Sequence, residues 1–205
     1  MITQKQITPI FPTPVYYSNL NRKFTKKETD FFKKITSSRV DNFGNTVSSN
    51  NYVFTNKIMK RIKEEMDIRL KEYLDKIICP KNNMNLYITQ SWINSTLKNQ
   101  YHHYHAHPNS YISGVLYLNA DPEVDRIYFV KENPTIFSLK PNKCNIFNSN
   151  SWWYSVKPGD LLIFPSSTTH YVAQKKQNNQ RISLSFNTFF KGKLGDKTSL
   201  SELIL

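Results

Sequence analysis

The sequence predicts a mainly β protein, a sandwich or closed β architecture, with two helices near its N-terminus. Three observations carry that prediction. From about residue 85 onward, short apolar runs alternate with turn signals such as Pro108-Asn109, Asp121-Pro122, Asn133-Pro134, Pro158-Gly159 and Asn178-Asn179, the grammar of many short strands. Before that point two stretches carry helical spacing with start or stop signals. No glycine-rich phosphate loop and no Gly-x-Ser-x-Gly elbow occurs, so nucleotide-loop and serine-hydrolase architectures have no support.

Residues 8–17 are an extended lead-in. Pro9, Pro12 and Pro14 forbid a helix, and Val15-Tyr16-Tyr17 favours a strand. Thr25 and Glu28 form a capping box, which starts a helix running to about Ile35. Residues 36–54, with Ser, Asn and Gly44, are expected to be loop. Ile58, Ile62, Met66, Leu70, Tyr73, Leu74 and Ile77 recur at helical spacing over 56–78, with lysines and glutamates between them, and Pro80 ends the run. The strand that follows would place Leu86, Ile88, Gln90, Trp92 and Asn94 on one face. Further strands are expected at 101–107, 111–119, 126–131, 135–139, 152–157, 160–165, 169–174 and 181–190. The tail, 191–205, is expected to be loop with a short last helix or strand.

At 205 residues the chain suits one domain with N-terminal additions. Its two cysteines, Cys79 and Cys144, are far apart. They point to a reducing, cytoplasmic setting rather than a disulfide framework or a zinc-thiolate site. No apolar run is long enough to span a bilayer. The formal charge of +13 favours anionic partners, nucleic acid among them, although the lysines are scattered. The Lys, Asn, Ile, Phe and Tyr bias matches an AT-rich genome, a viral one included.

Four of the five histidines, His102, His103, His105 and His107, fall within 101–119, and His170 lies far downstream. Residues two apart on a strand share a face, so His105 and His107 point together and Ala106 points away. A third imidazole from a distant strand would complete an open metal site. In 181–187, Arg181, Ser183 and Ser185 share one face, and Ile182, Leu184 and Phe186 the other. A strand arginine needs an anionic partner. A ligand carboxylate and a distant acid such as Asp160 are the two candidates. Trp92 is expected in the core. Asn94 is either a polar strand position or a donor to a bound ligand. Of Trp152, Trp153 and Tyr154, at least one should be core and another could meet a substrate. His102 and His103 are expected at the surface or behind the site.

The set His-x-His-Pro-Asn-Ser, Ser-Gly-Val-x-Tyr-Leu, Pro-Gly-Asp-Leu-Leu-Ile-Phe-Pro-Ser and Arg-Ile-Ser-x-Ser-Phe-Asn resembles the 2-oxoglutarate/Fe(II) oxygenases of bacteria and marine phages. These are related to the prolyl-hydroxylase-like oxygenases. The resemblance covers roughly 89–190. It implies a double-stranded β-helix, a cupin-like jelly roll, within a single oxygenase domain over 1–205. In that domain 1–83 supports the sheet, 84–190 is the core and 191–205 the tail. It implies Fe(II) on His105, His107 and His170. It also implies 2-oxoglutarate and dioxygen as co-substrates, with Arg181, Tyr117, Ser183 and Asn94 around the 2-oxoglutarate. The implied outcome is hydroxylation of a substrate with release of succinate and carbon dioxide. The sequence departs from the usual pattern at His107, where a carboxylate is the common ligand. The substrate stays open between a protein or peptide and nucleic acid. A non-catalytic metal-binding cupin-like module is the competing reading, and Arg181 discriminates against it.

Overall fold

The computed structural model describes residues 7–132 and 140–205. The strand expected at 135–139 and the Asn133-Pro134 turn lie outside the described residues. In chain order the elements are β1 (Tyr16–Asn19), α1 (Lys26–Ser37), β2 (Arg39–Asp41), β3 (Thr46–Ser48), α2 (Lys60–Tyr73) and β4 (Met84–Thr96). Then follow β5 (His102–His105), β6 (Ile112–Asn119), β7 (Arg126–Val130), β8 (Ser151–Ser155), β9 (Asp160–Pro165), β10 (His170–Val172), β11 (Arg181–Leu194) and β12 (Leu203–Ile204). The larger sheet has the order β1-β9-β6-β11-β4-β3-β2, with β12 on β11, and the smaller has β5-β10-β7-β8. All their ladders are antiparallel.

The helices form where local chemistry asks for them. Thr25 Oγ1 accepts from Glu28 N–H at 3.2 Å and Glu28 Oε2 accepts from Thr25 N–H at 2.7 Å, closing the expected capping box. Ile62, Met66, Leu70 and Tyr73 make the buried stripe of α2, and a π-turn over Leu74–Ile78 continues it. Both helices pack on one face of the larger sheet, where Phe31, Phe32, Met66 and Leu70 meet Ile93, Leu116, Leu161, Ile163, Leu184 and Phe186. The other face meets the smaller sheet through Val115, Tyr117, Leu162 and Phe164 against Ile127 and Phe129. Period-two alternation on β6 and β9 thus feeds two separate cores, while β11 gives its apolar face to the helix-side core alone. Gly114 permits the tightest contact: a Cβ there would sit 2.1 Å from Cζ of Phe186.

Several expectations need correction. Residues 36–54 are not all loop. β2 and β3 form a hairpin across Asn42-Phe43-Gly44-Asn45, with Gly44 at φ +92° and Asn42 N–H donating to Asn45 O at 2.9 Å. The strict alternation on β4 fails at Thr89. Gln90 pairs with Asn187 and Ile88 with Thr188, so Thr89 is bulged. Leu86 and Ile88 therefore join Ile93 in the helix-side core, while Trp92 faces the opposite way. Trp92 belongs to neither core cluster; it is half-buried and lines a cavity. The first strand of the smaller sheet ends at His105, so His107 lies beyond it. Of the aromatics at 152–154, Tyr154 packs on the inter-sheet core, as expected of at least one, while Trp152 and Trp153 are 40% and 46% exposed. The tail is also more ordered than expected, since β11 runs on to Leu194 and pairs with β12. Among the described residues no helix is long and apolar enough to cross a membrane.

Candidate active site

The space between the two sheets is apolar at one end and becomes polar where β4, β11 and β6 face β5 and β10. The ladder sets the order of groups. Asn94, Ser183 and Tyr117 lie in one row across three strands, and Trp92, Ser185 and Val115 in the next. Arg181 stands at the start of β11, opposite Thr96. Opposite this polar face, β10 brings His170 into register with His105. His107 has left the strand, yet its N–H donates to Ser166 O at 2.9 Å, which holds the residue beside β10.

The result is a cluster, one of two among the described residues; the other joins His102 and His103 to His105. A ring nitrogen from each of His105, His107 and His170 lies within 4.8 Å of the others, and the Nε2 atoms of His107 and His170 are 3.3 Å apart. Two tautomers follow from hydrogen bonds. His105 Nδ1 is 2.8 Å from His103 O and His170 Nδ1 is 3.0 Å from Thr168 O. A carbonyl only accepts, so both Nδ1 atoms carry the proton and both Nε2 atoms keep a lone pair, that of His170 facing His107 Nε2. Burial pushes all three imidazoles towards the neutral form. It holds His170 well below the usual histidine value, brings His107 down to about 4 and lowers His105. Phe164 covers His170 edge-on at 4.9 Å between ring centroids. Neutral, converging Nε2 donors in a dry wall are what a divalent transition metal requires.

Arg181 is 5% exposed and donates from Nη2 to Tyr117 O–H at 3.1 Å; its Nε has no partner. The acid the sequence offered it is engaged elsewhere. Asp160 accepts from Tyr17 O–H at 2.7 Å, Asn19 Nδ2 at 2.6 Å and Lys157 N–H at 2.8 Å. Among the described residues no carboxylate lies within ion-pair distance of Arg181. Asn94 donates to Ser185 Oγ at 2.9 Å while its Oδ1 stays buried and unpaired. Arg181, Ser183, Asn94 and the three histidines line a single cavity of about 30 Å³.

Two features escaped the sequence. His102 is half-buried, lines that cavity and stacks on His105 at 4.3 Å. His170 pairs with His105 but Val172 pairs with His102, so an irregularity turns both histidines the same way. Strict alternation cannot reveal that. The second is a buried hydroxyl network. Ser166 Oγ lies 2.7 Å from Ser110 Oγ and 2.8 Å from Ser113 Oγ, and Ser113 donates to Asn187 Oδ1 at 2.9 Å. It ties the 165–170 turn to the segment after His107. Its signal was present in the Ser and Asn positions of the recurring motifs.

The site is thus a two-sheet β fold holding three converging histidines opposite an arginine with no ion-pair partner among the described residues. Residues 90–187 match a family model described as "Putative 2OG-Fe(II) oxygenase". The match covers the segment that carries the three clustered histidines, Tyr117 and Arg181. Solved structures agree on the fold. HygX from Streptomyces hygroscopicus, with nickel, 2-oxoglutarate and hygromycin B bound, is similar at 15% identity and a TM-score of 0.59, over 86% of this chain and 82% of its own. A Pseudomonas putida prolyl-4-hydroxylase is similar at 12% identity and a TM-score of 0.55, over 86% and 94%. An oxidoreductase of the 2OG-Fe(II) oxygenase family from Burkholderia pseudomallei is similar at 12% identity and a TM-score of 0.57, over 85% and 83%. No protein of curated function matches the sequence.

Proposed function

We propose that this chain is a 2-oxoglutarate- and Fe(II)-dependent hydroxylase with the core of a double-stranded β-helix. The observation that carries the reading is Arg181. A buried guanidinium without a carboxylate partner is costly, and it lines the same cavity as the three clustered imidazoles. A metal-binding module without a co-substrate has no use for it. In the same reading residues 1–205 are one domain, supported by the pairing of β1 with β9 and of β12 with β11.

In this assignment His105, His107 and His170 hold Fe(II) through ring nitrogens. The Nδ1 bonds of His105 and His170 to backbone carbonyls fix both rings in orientation and tautomer. Three protein ligands would leave such a metal accessible to a chelating oxoacid. When bound, iron supplies the oxidising chemistry that couples decarboxylation of 2-oxoglutarate to hydroxylation. The chain's own work is placement. Arg181 forks the far carboxylate, Tyr117 adds a hydroxyl already oriented towards Arg181, and Asn94 and Ser183 complete the polar row. Val115, Ile127 and Phe164 keep the cavity dry. At about 30 Å³ the cavity must widen for a five-carbon diacid. His102, for which no side-chain hydrogen bond is made among the described residues, is the wall that gives way. The likeness to a prolyl-4-hydroxylase makes a protein or peptide the substrate class we favour.

The test is anaerobic titration with Fe(II) and 2-oxoglutarate, followed by admission of air and measurement of succinate. Stoichiometric binding and slow succinate release without added substrate are expected. Metal binding with no effect of 2-oxoglutarate would overturn the assignment.

A further inference from the structure

A second cavity, of about 290 Å³, shares the Arg181 and Val172 walls with the first, but none of the three clustered histidines lines it. Its charged lining is Arg126, Lys175, Lys176, Arg181 and one acid, Asp125. Asp125 is already engaged on both oxygens. Its Oδ1 accepts from Lys175 Nζ at 2.6 Å, and its Oδ2 accepts from Asn179 Nδ2 and from Asp121 N–H, each at 2.9 Å. The buried Lys175–Asp125 pair therefore cancels itself, and Arg126, Arg181 and Lys176 remain uncompensated. None of these three has an ion-pair partner among the described residues.

Both arginines are held in place before any ligand arrives. The guanidinium carbon of Arg126 lies 4.2 Å from the centroid of the Trp153 ring, and Arg181 is fixed by the Tyr117 hydroxyl at 3.1 Å. The Nε atoms of both are buried without partners. Stacking on an exposed tryptophan explains why Trp153 is not in the core. Preorganised guanidinium groups with a lysine and neutral polar walls, here Thr96, Gln174 and Gln177, suit a compact, multiply charged oxyanion.

We propose that this cavity binds a phosphate group, free or on a small phosphomonoester, and that its occupation weakens 2-oxoglutarate binding because both anions draw on Arg181. The second half rests on the oxygenase reading; the first does not. Two like charges on opposite sides of one guanidinium should raise the 2-oxoglutarate Kd by roughly three- to tenfold at low salt.

The experiment titrates metal-free, full-length protein by calorimetry at fixed ionic strength. Inorganic phosphate and glycerol 3-phosphate form the two arms, and chloride is the control. Saturable binding is expected in one or both arms, the stronger arm naming the source. Arg126→Gln should weaken it at least about tenfold, the loss of one charge-assisted fork, and Arg126→Lys should restore part. Lys176→Gln, at an exposed position, keeps the test alive if the arginine variant fails to fold, and should weaken binding less. With metal present, phosphate should raise the 2-oxoglutarate Kd in the parent and not in Arg126→Gln. Equal phosphate binding by parent, Arg126→Gln and Lys176→Gln, or equal heats with chloride, would overturn the site. If the site binds phosphate but the 2-oxoglutarate Kd does not respond, the coupling is overturned and the site stands. If 2-oxoglutarate binds neither protein, the oxygenase reading fails and the phosphate titration still decides the site.

Discussion

The two faces of β11 share one backbone and differ in almost everything else. Ile182, Leu184 and Phe186 enter the core beneath the helices, while Arg181, Ser183 and Ser185 line the cavity opposite the histidines. The first face is stabilised by burial and close packing, as the Gly114–Phe186 approach shows. The second buries polar groups whose partners are incomplete: Arg181 Nε is unsatisfied, as is Oδ1 of Asn94 on the adjoining β4. Native interiors rarely tolerate such groups without a reason. The contrast teaches that one face supplies the stability and the other spends it on a binding surface.

Substitutions should separate the two faces. Leu184→Ala, at a fully buried position, should cost about 2–5 kcal/mol of folding stability. It should leave the 2-oxoglutarate affinity of the folded fraction unchanged. Arg181→Gln should do the reverse, losing about 2–5 kcal/mol of co-substrate binding with little change in Tm. Tyr117→Phe should lose less, roughly 0.5–3 kcal/mol. If Arg181→Gln instead unfolded the protein and left binding intact, the division between the faces would be wrong. Ser166→Ala should cost about 1–3 kcal/mol by stranding Ser110 and Ser113. Because Ser166 O also holds His107 N–H, the same variant should alter the visible spectrum of the Co(II)-loaded protein. An unchanged spectrum would limit the network to stability.

Acidity provides the prediction whose effect is smallest at neutral pH. His107 is held down to about 4 and His102 to about 2, both chiefly by burial, against an ordinary value of 6.5. The unfolded chain accepts protons that these folded imidazoles refuse. The metal-free protein should therefore keep its full stability above about pH 6.5 and lose it as the pH falls. The His107 contribution levels off near 4 and that of His102 continues towards 2. Denaturant midpoints measured from pH 8 to 4 check this, and a flat profile would mean that the rings are hydrated.

Much of this was legible in the sequence, and the parts that were not share a cause. The capping box, the α2 stripe and the alternation on β11 depend on local spacing, and the structure follows them. Spacing put His105 with His107 and Arg181 with Ser183, and the family resemblance brought His170 and Tyr117 to them, with one difference in how the structure does it. His107 reaches the cluster from beyond the strand, held by Ser166, and not by strand alternation. The failures cluster at irregularities. The bulge at Thr89 moved Trp92 out of the core, and the β5–β10 irregularity turned His102 inward. A bulge adds one residue to one strand and inverts every face assignment beyond it, leaving no periodic trace. The state of Arg181 was open for a different reason, because whether Asp160 is free depends on Tyr17 and Asn19, more than a hundred residues away in sequence.

The most direct test of the account is a crystal structure of the protein grown anaerobically with Fe(II), or with Ni(II) in its place, and 2-oxoglutarate. The account predicts a metal held by ring nitrogens of His105, His107 and His170, with the far carboxylate of 2-oxoglutarate forked by Arg181 beside Tyr117. An aspartate or glutamate in the coordination sphere with His107 turned away, or a co-substrate that leaves Arg181 unpaired, would contradict it.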